Sequence, residues 1–271
     1  MSQSYEFVPF VDFQEFNEKD FDKNGTIKLR IETLSYLHMG SGEYTEKAGL
    51  IYRTFLKTNG IYTIPGSSLK GCIRTLAEMV SHGCMAVLPQ KEVQDKIPVR
   101  KTHSFSQSCI LCDMFGTRGK KSKVLFSDFK ATKISQNQVE IIRVAKSYTP
   151  NVNAQIYKDS KGQIKGYKVY LHGRDYERGE VALEAIRPGT VFEGEVIYQN
   201  LSDTQLKLLC FALGLSGLDL KIGYGKNHNL GSIRITAVDE FYKQKAFEYE
   251  KISDKNIQNN IKKLKEVLKF K

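Results

Sequence analysis

The chain has 271 residues, 41% of them hydrophobic with 15 Phe and 14 Tyr, enough for a packed core and incompatible with disorder throughout. Its longest apolar run, the eight residues from Leu208 to Leu215, falls far short of the roughly 20 that a membrane span requires. Forty-one Lys and Arg against 30 Asp and Glu give a formal charge of +11, of which +4 lies beyond Asp239 and +7 in the body of the chain, so a polyanion, nucleic acid first, is the partner the charge implies.

The first 25 residues carry six acids and two lysines without a continuous apolar stretch. They read as an irregular arm, not a signal or transit peptide, and a cytoplasmic location follows. Thr26–Leu37 alternates Ile27, Leu29 and Ile31 with charged residues, the period of a half-buried strand. His38–Ala48, rich in glycine and acids, reads as a loop. Leu50–Leu56 and Ile61–Ile64 read as short strands around a turn at Asn59-Gly60. Pro65-Gly66-Ser67-Ser68 then ends the strand and opens a helix, with Leu69, Cys72, Ile73, Leu76 and Val80 on one face and Lys70 and Arg74 on another. Residues 83–122 read as loops and short pieces holding three cysteines, His103 and the basic run Arg118-Gly119-Lys120-Lys121. Lys123–Ala131 and Gln138–Val144 alternate as strands. Residues 146–188 are long, polar and studded with tyrosine and glycine, with a turn at Asp159–Gly162. After a strand at Thr190–Gln199, Ser202 followed three residues later by Gln205 is a capping box for a helix with Leu206, Leu209, Cys210 and Leu213 on its apolar face. Leu220–Gly231 is a glycine-rich loop, Ser232–Val238 a closing strand, and Phe241–Lys271 a charged amphipathic helix with a break near Ser253-Asp254. The order strand, helix, paired strands, helix, strand predicts an α+β fold of ferredoxin-like (RRM-like) plan with insertions.

Four groups of residues carry chemistry. At the start of the first helix, Gly66, Ser67 and Ser68 offer amides and hydroxyls to a phosphate, and Lys70 and Arg74 add charge; the alternative is an ordinary strand-to-helix turn with a solvated basic face. The order GxxxxGK[ST] of a Walker motif is absent. In the second group, Gly223 and Gly225 permit close backbone approach while Lys226 and His228 supply a cation and a switchable donor. The loop leads into a strand, so a dinucleotide fingerprint, which opens a helix, does not apply. The third is Cys109-Ile-Leu-Cys112, whose spacing suits zinc; Cys84 and His103 are the nearest further ligands, with His82 as a rival for the fourth place. A redox reading asks for such a pair at a helix start beside a βαβ unit, a setting the pattern does not predict. Cys72 and Cys210 lie on apolar helix faces and read as core. The fourth is Glu43 and Glu46, in a loop where a carboxylate beside RNA could hold a divalent cation or orient a 2′-hydroxyl, although a solvated loop is the stronger reading because no second acid sits at useful spacing.

Three of these segments, in this order, resemble signatures of the RAMP superfamily, the RNA-binding subunits of CRISPR effector complexes. IPGSSLKGCIR looks like its central signature, CILCDMFGTRGKKSKVLFSDF its cysteine and Phe-Gly segment with the following strand, and LKIGYGKNHNLGSIRI its glycine-rich loop and last strand. KGYKVYLHGRD, residues 165–175, is reminiscent of a basic-aromatic segment in some type III relatives. The closest likeness is to the backbone subunits of type III complexes. It implies one ferredoxin-like palm over 1–240, a zinc-binding insertion at 83–122, a thumb at 146–188 that wedges into the guide–target duplex, and a helical extension at 241–271. It implies contacts to a guide RNA (crRNA) from Ser67, Ser68, Lys70, Arg74, Gly223, Gly225, Lys226 and His228, with Arg118 and Lys120 beside them, and partners that include complementary target RNA, other effector subunits and further copies along the guide, in antiviral defence. Structural zinc on Cys84, His103, Cys109 and Cys112 is the expected cofactor. Subunits of this kind that cut target RNA carry an aspartate in the loop before the signature. Here Gly40–Leu50 has none, and Glu46 falls nearest that position, so a holding role is expected ahead of a metal-dependent endoribonuclease, which would need magnesium, or a terminal capping subunit. A metal-independent ribonuclease would rest on His38.

Overall fold

The structure is a computed structural model that describes residues 4–270 except 86, 88–90, 105, 149, 150 and 152, so those positions of the expected arm, cysteine segment and thumb lie outside the described residues. The first finding corrects the irregular arm. Tyr5–Val8 forms strand β1, and Val11 and Phe13 beyond it are buried in the main core. Strand β2, Lys23–Thr33, follows with strict alternation of buried Ile27, Leu29, Ile31 and Thr33.

The glycine-acid segment is also not a loop. Gly40–Lys47 is strand β3, antiparallel to β4 (Leu50–Phe55) across a two-residue turn at Ala48-Gly49, both with positive φ. Neither face of β3 is buried, which explains why no hydrophobic alternation marks it. The Asn59-Gly60 turn joins β5 (Lys57–Thr58) to β6 (Ile61–Ile64), again with both turn residues at positive φ.

Helix α1, Gly66–Met79, starts behind Pro65 and buries Leu69, Ile73 and Leu76. Helix α2 (Lys91–Gln94) and helix α3 (Ile110–Phe115) are short. The predicted strand 123–131 is divided at Ser127-Asp128 into β7 (Val124–Phe126) and β8 (Phe129–Ala131), both paired with the same later strand. Strands β9 (Val139–Val144), β10 (Tyr167–Tyr170), β11 (Val181–Ile186) and β12 (Val191–Leu201) lead to α4 (Asp203–Ala212), whose capping box at Ser202 and Gln205 is present and whose apolar face is buried. Strands β13 (Asp219–Lys221) and β14 (Ser232–Ala237) flank the glycine-rich loop, and the C-terminal segment is two helices, α5 (Glu240–Tyr249) and α6 (Lys255–Val267), the second capped by Asp254.

The molecule is α+β. Its main sheet runs β13-β14-β2-β12-β8-β6-β5, with β7 also on β12, and every pairing in it is antiparallel. Helices α1 and α4 pack against one another, and α5 packs on α4. The C-terminal helices share the main core: Tyr249 donates its hydroxyl to Val80 O, and the buried Asn260 amide bridges Pro9 O and Met79 O. A second sheet, β3-β4-β11-β9, has its own small core of Ile142, Val144, Leu183, Ala185 and Leu230. Glu184 of β11 ties it to the edge of the main sheet by accepting from Phe55 N, Lys57 Nζ and Tyr62 OH. Residues 146–188 thus contribute one strand to the second sheet and one, β10, to an antiparallel ribbon with β1.

Candidate functional site

The start of α1 is fixed by close backbone approach. A Cβ on Gly66 would stand 2.3 Å from Phe126 O and 2.6 Å from Ser127 O, so only glycine fits beneath the break between β7 and β8. The Gly66 amide donates to Asp128 Oδ1 at 2.9 Å. This corrects the expectation of a free amide there for phosphate: a carboxylate already occupies the first position of the helix. Ser67 and Ser68 are exposed.

The two cations of α1 differ. Lys70 is half-buried and donates to Ser122 Oγ at 2.8 Å. Arg74 is turned inward: it donates to Gly116 O at 2.8 Å, pairs with Glu78 at 3.4 Å and reaches Cys112 Sγ at 3.8 Å. The picture of Lys70 and Arg74 as one solvated basic face is therefore corrected, because the 116–122 turn folds over that flank. In that turn Arg118 is exposed, whereas Lys120 pairs with Asp113 at 2.7 Å and donates to Ser108 Oγ.

The glycine-rich loop lies against the same helix. Gly223 has φ +82°, and a Cβ there would meet His38 O at 2.4 Å, so the loop packs flush on the strand entry. Gly225, also at positive φ, precedes a single turn, Lys226–His228. Lys226 is exposed, but His228 is not the free donor expected: it is buried, with Nδ1 2.9 Å from Glu177 Oε2 and Nε2 3.1 Å from Ser147 Oγ. It clamps the loop to the segment following β9.

Between α1, the loop, β13 and β10 lies a cavity of about 560 Å³, within the range of ligand sites. Ser68, Arg74, Lys168, Lys221 and Lys226 reach it, over a floor that includes Leu76, Leu220 and Ile222, and among the described residues its lining holds no carboxylate. Lys168 and Lys221 are the members that sequence reasoning missed; the buried one is Lys221. It is 8% exposed, and its ammonium donates to Lys226 O at 2.9 Å. Burial, with Lys226 nearby, pulls its pKa down to about 8. A larger cleft of about 740 Å³ is lined by Glu140 and Glu184 with, among the described residues, a single cation, Lys47, and both glutamates are ion-paired, with Arg187 and Lys57.

Of the groups considered for cleavage, Glu46 stands apart, whereas Glu43 and His38 line one cavity. Glu46 is exposed on β3, opposite Ile51 near the hairpin tip. Glu43 lines a cavity of about 340 Å³ with His38, Arg53 and Tyr224. His38 is buried, its Nδ1 2.7 Å from Glu184 O, and burial holds its pKa below the ordinary value.

The cysteine segment closes on itself. The Sγ of Cys84 stands 3.3 Å from that of Cys112 and 3.6 Å from that of Cys109, and with a nitrogen of His103 the four ligand atoms lie within 4.8 Å of one another. Cys109 is the N-cap of α3, so the pair does sit at a helix start, contrary to expectation. The amides of Cys84 and Cys112 donate to its sulfur, each at 3.4 Å. Hydrogen bonds from Cys112 and Cys84 push its thiol pKa down and favour the thiolate. His103 stacks on Phe13 and commits Nδ1 to Ser104 O, leaving Nε2 buried with no hydrogen-bond partner among the described residues. An orphaned imidazole nitrogen beside three clustered thiols is the donor set and arrangement of a metal site. His82, the rival, is engaged elsewhere, with Asp12 O and Asp254 Oδ2.

The family model for the RAMP superfamily matches residues 30–234, from within β2 to within β14. No curated protein matches the chain.

Proposed function

The chain belongs to the RAMP superfamily, a CRISPR-associated, RNA-binding family, and on that premise we propose that it is a guide-RNA-binding backbone subunit of a type III CRISPR effector, holding guide and complementary target RNA. One observation carries the proposal: the signature helix and the glycine-rich loop, about 150 residues apart in sequence, meet in a single cavity that, among the described residues, is lined by cations and by no carboxylate. Exposed Ser67, Ser68 and Lys226, with Lys168 and Lys221, are the groups we assign to the RNA backbone. We assign exposed Arg118, in the turn that folds over the flank of α1, to the same RNA strand. Arg74, Lys120 and His228 act by holding the elements that present those groups.

The order β14-β2-β12-β7/β8, with α1 and α4 as the two helices, supports a ferredoxin-like palm of βαββαβ connection. We take 1–240 as one unit with insertions at 83–122 and 146–188 and a helical extension at 241–271, and the 146–188 insertion as the thumb. Within 83–122 the Cys84, His103, Cys109 and Cys112 set fits structural zinc: four protein ligands leave no place for a reactive water, and sulfurs on a tetrahedral zinc stand roughly 3.8 Å apart, close to the spacing here. Other effector subunits and further copies along the guide are the proposed partners. No helix among the described residues is long and apolar enough to cross a membrane.

The test is RNA binding as a function of salt. Each phosphate contact to a single strand contributes about −0.7 to the log–log slope, so Lys226→Gln is expected to flatten it by about that amount. An unchanged slope in a folded variant would place the strand elsewhere.

A further inference from the structure

The arm at the start of the chain does more than cover the core. Strands β1 and β10 pair with Tyr5 opposite Tyr170 and Phe7 opposite Lys168, so strand alternation puts these four residues on one face of the ribbon, with Phe7 buried beneath the tyrosines, while Val8, Tyr167 and Val169 are buried in the core from the other face. The short turn Gln155–Tyr157 lays Tyr157 beside Tyr5, with rings stacked at 6.2 Å, and edge-on to Phe7 at 6.0 Å. Lys168 Nζ stands among the three tyrosines, 4.0 Å from the ring centre of Tyr5, 4.9 Å from Tyr170 and 5.4 Å from Tyr157. All three rings are half-exposed. Lys168 and Tyr170 also line the cationic cavity, which makes ribbon face and cavity one continuous surface.

We propose that the outer face of the β1–β10 ribbon is a stacking platform for unpaired bases of the RNA strand whose phosphates occupy that cavity. This rests on the RNA-holding reading above and adds to it a second, non-ionic mode of contact. Aromatic faces beside cations are the combination that single-stranded nucleic acid uses, bases on the rings and phosphates on the charges. The complementarity is specific: Lys165, exposed, lies near Phe7 at the same edge, while Glu6, the acid of β1, pairs with Lys263 of α6 at 3.7 Å. The cage is not set to take a cationic ligand, because Lys168 already fills it. A base entering over Tyr5 or Tyr170 displaces that ammonium from the rings, and the displaced ammonium is then beside a phosphate.

The experiment is fluorescence anisotropy with a fluorescein-labelled single-stranded oligouridylate and with an abasic strand of equal length. Tyr5→Ala combined with Tyr170→Ala is expected to weaken oligouridylate binding roughly 10- to 100-fold, with an unchanged salt slope and no effect on the abasic strand. Tyr5→Phe with Tyr170→Phe keeps the rings and is expected to bind as the unsubstituted chain does. Equal binding by the alanine variant overturns the platform; if Lys226→Gln still flattens the salt slope, the RNA-holding reading survives it. Failure of the unsubstituted chain to bind either strand overturns both. Should the alanine variant not fold, photo-crosslinking of the unsubstituted chain to thiouridine-containing RNA decides the matter. Adducts at Tyr5, Tyr157 or Tyr170 support the platform, and adducts confined to other segments overturn it.

Discussion

Lys221 carries its charge at a cost that the bound state relieves. Its pKa of about 8, against an ordinary 10.5, means that between those values the unfolded chain binds the proton more tightly than the folded one. Stability therefore rises with pH across that window, and the full penalty is present below about 8. A phosphate beside the ammonium favours the protonated form, so RNA affinity is expected to fall as pH is raised from about 7 to about 9. Lys221→Arg stays charged throughout and should flatten that dependence; an equally steep profile in the variant would remove Lys221 from the contact. Arg74 behaves differently. Its side chain is 13% exposed and bound to Glu78 and Gly116, so Arg74→Ala should appear chiefly in urea denaturation as a loss of about 3 kcal/mol. Protein purified without chelator is expected to contain about one zinc per chain, lost in Cys109→Ser, and chelation should destabilise the chain by several kcal/mol. A metal-free chain of equal stability would contradict the assignment. The Cys109–Cys112 spacing pointed to the cysteine cluster before the fold, but the choice of His103 over His82 needed the structure, and the inward turn of Arg74 depends on a carbonyl 42 residues away that no local pattern reports.

Helix α4 announced itself by local rules, a reciprocal cap followed by apolar residues at helical spacing, and the structure has both. Ser202→Ala should cost about 1 kcal/mol in thermal or urea unfolding, since it leaves the Gln205 amide without its acceptor; a neutral effect would mean that the α1–α4 packing alone defines the helix. Strand β3 is the opposite case. Its residues are exposed along almost the whole length, and it is a strand only because β4 supplies its hydrogen bonds. Strand β1 owes its form to β10, more than 150 residues away. The break between β7 and β8 has a local marker in Ser127-Asp128, yet its purpose, a seat for Gly66 and an acceptor for its amide, appears only once α1 is in place. Glu46, near the tip of the β3–β4 hairpin, is open to solvent. Target RNA is expected to be held but cut slowly in magnesium, with Glu46→Ala leaving that rate unchanged; fast cleavage abolished by the substitution would make the chain an endoribonuclease.

At the scale of the molecule, the main sheet brings the two halves of the interface together. The strand order places β2 between β12 and β14, so the entry to α1 and the loop between β13 and β14 open on the same side, with the β1–β10 ribbon closing the third wall. That juxtaposition gives a chain of net charge +11 a defined place to hold a polyanion. The central claim, that this surface holds guide RNA, is tested most directly by purifying the chain with its effector partners and sequencing the RNA that remains bound. The account predicts short RNAs sharing a common repeat-derived end, and their loss when Lys221 and Lys226 are both changed to Gln in a chain that still folds. Recovery of no RNA, or of fragments that only mirror cellular abundance, would contradict it.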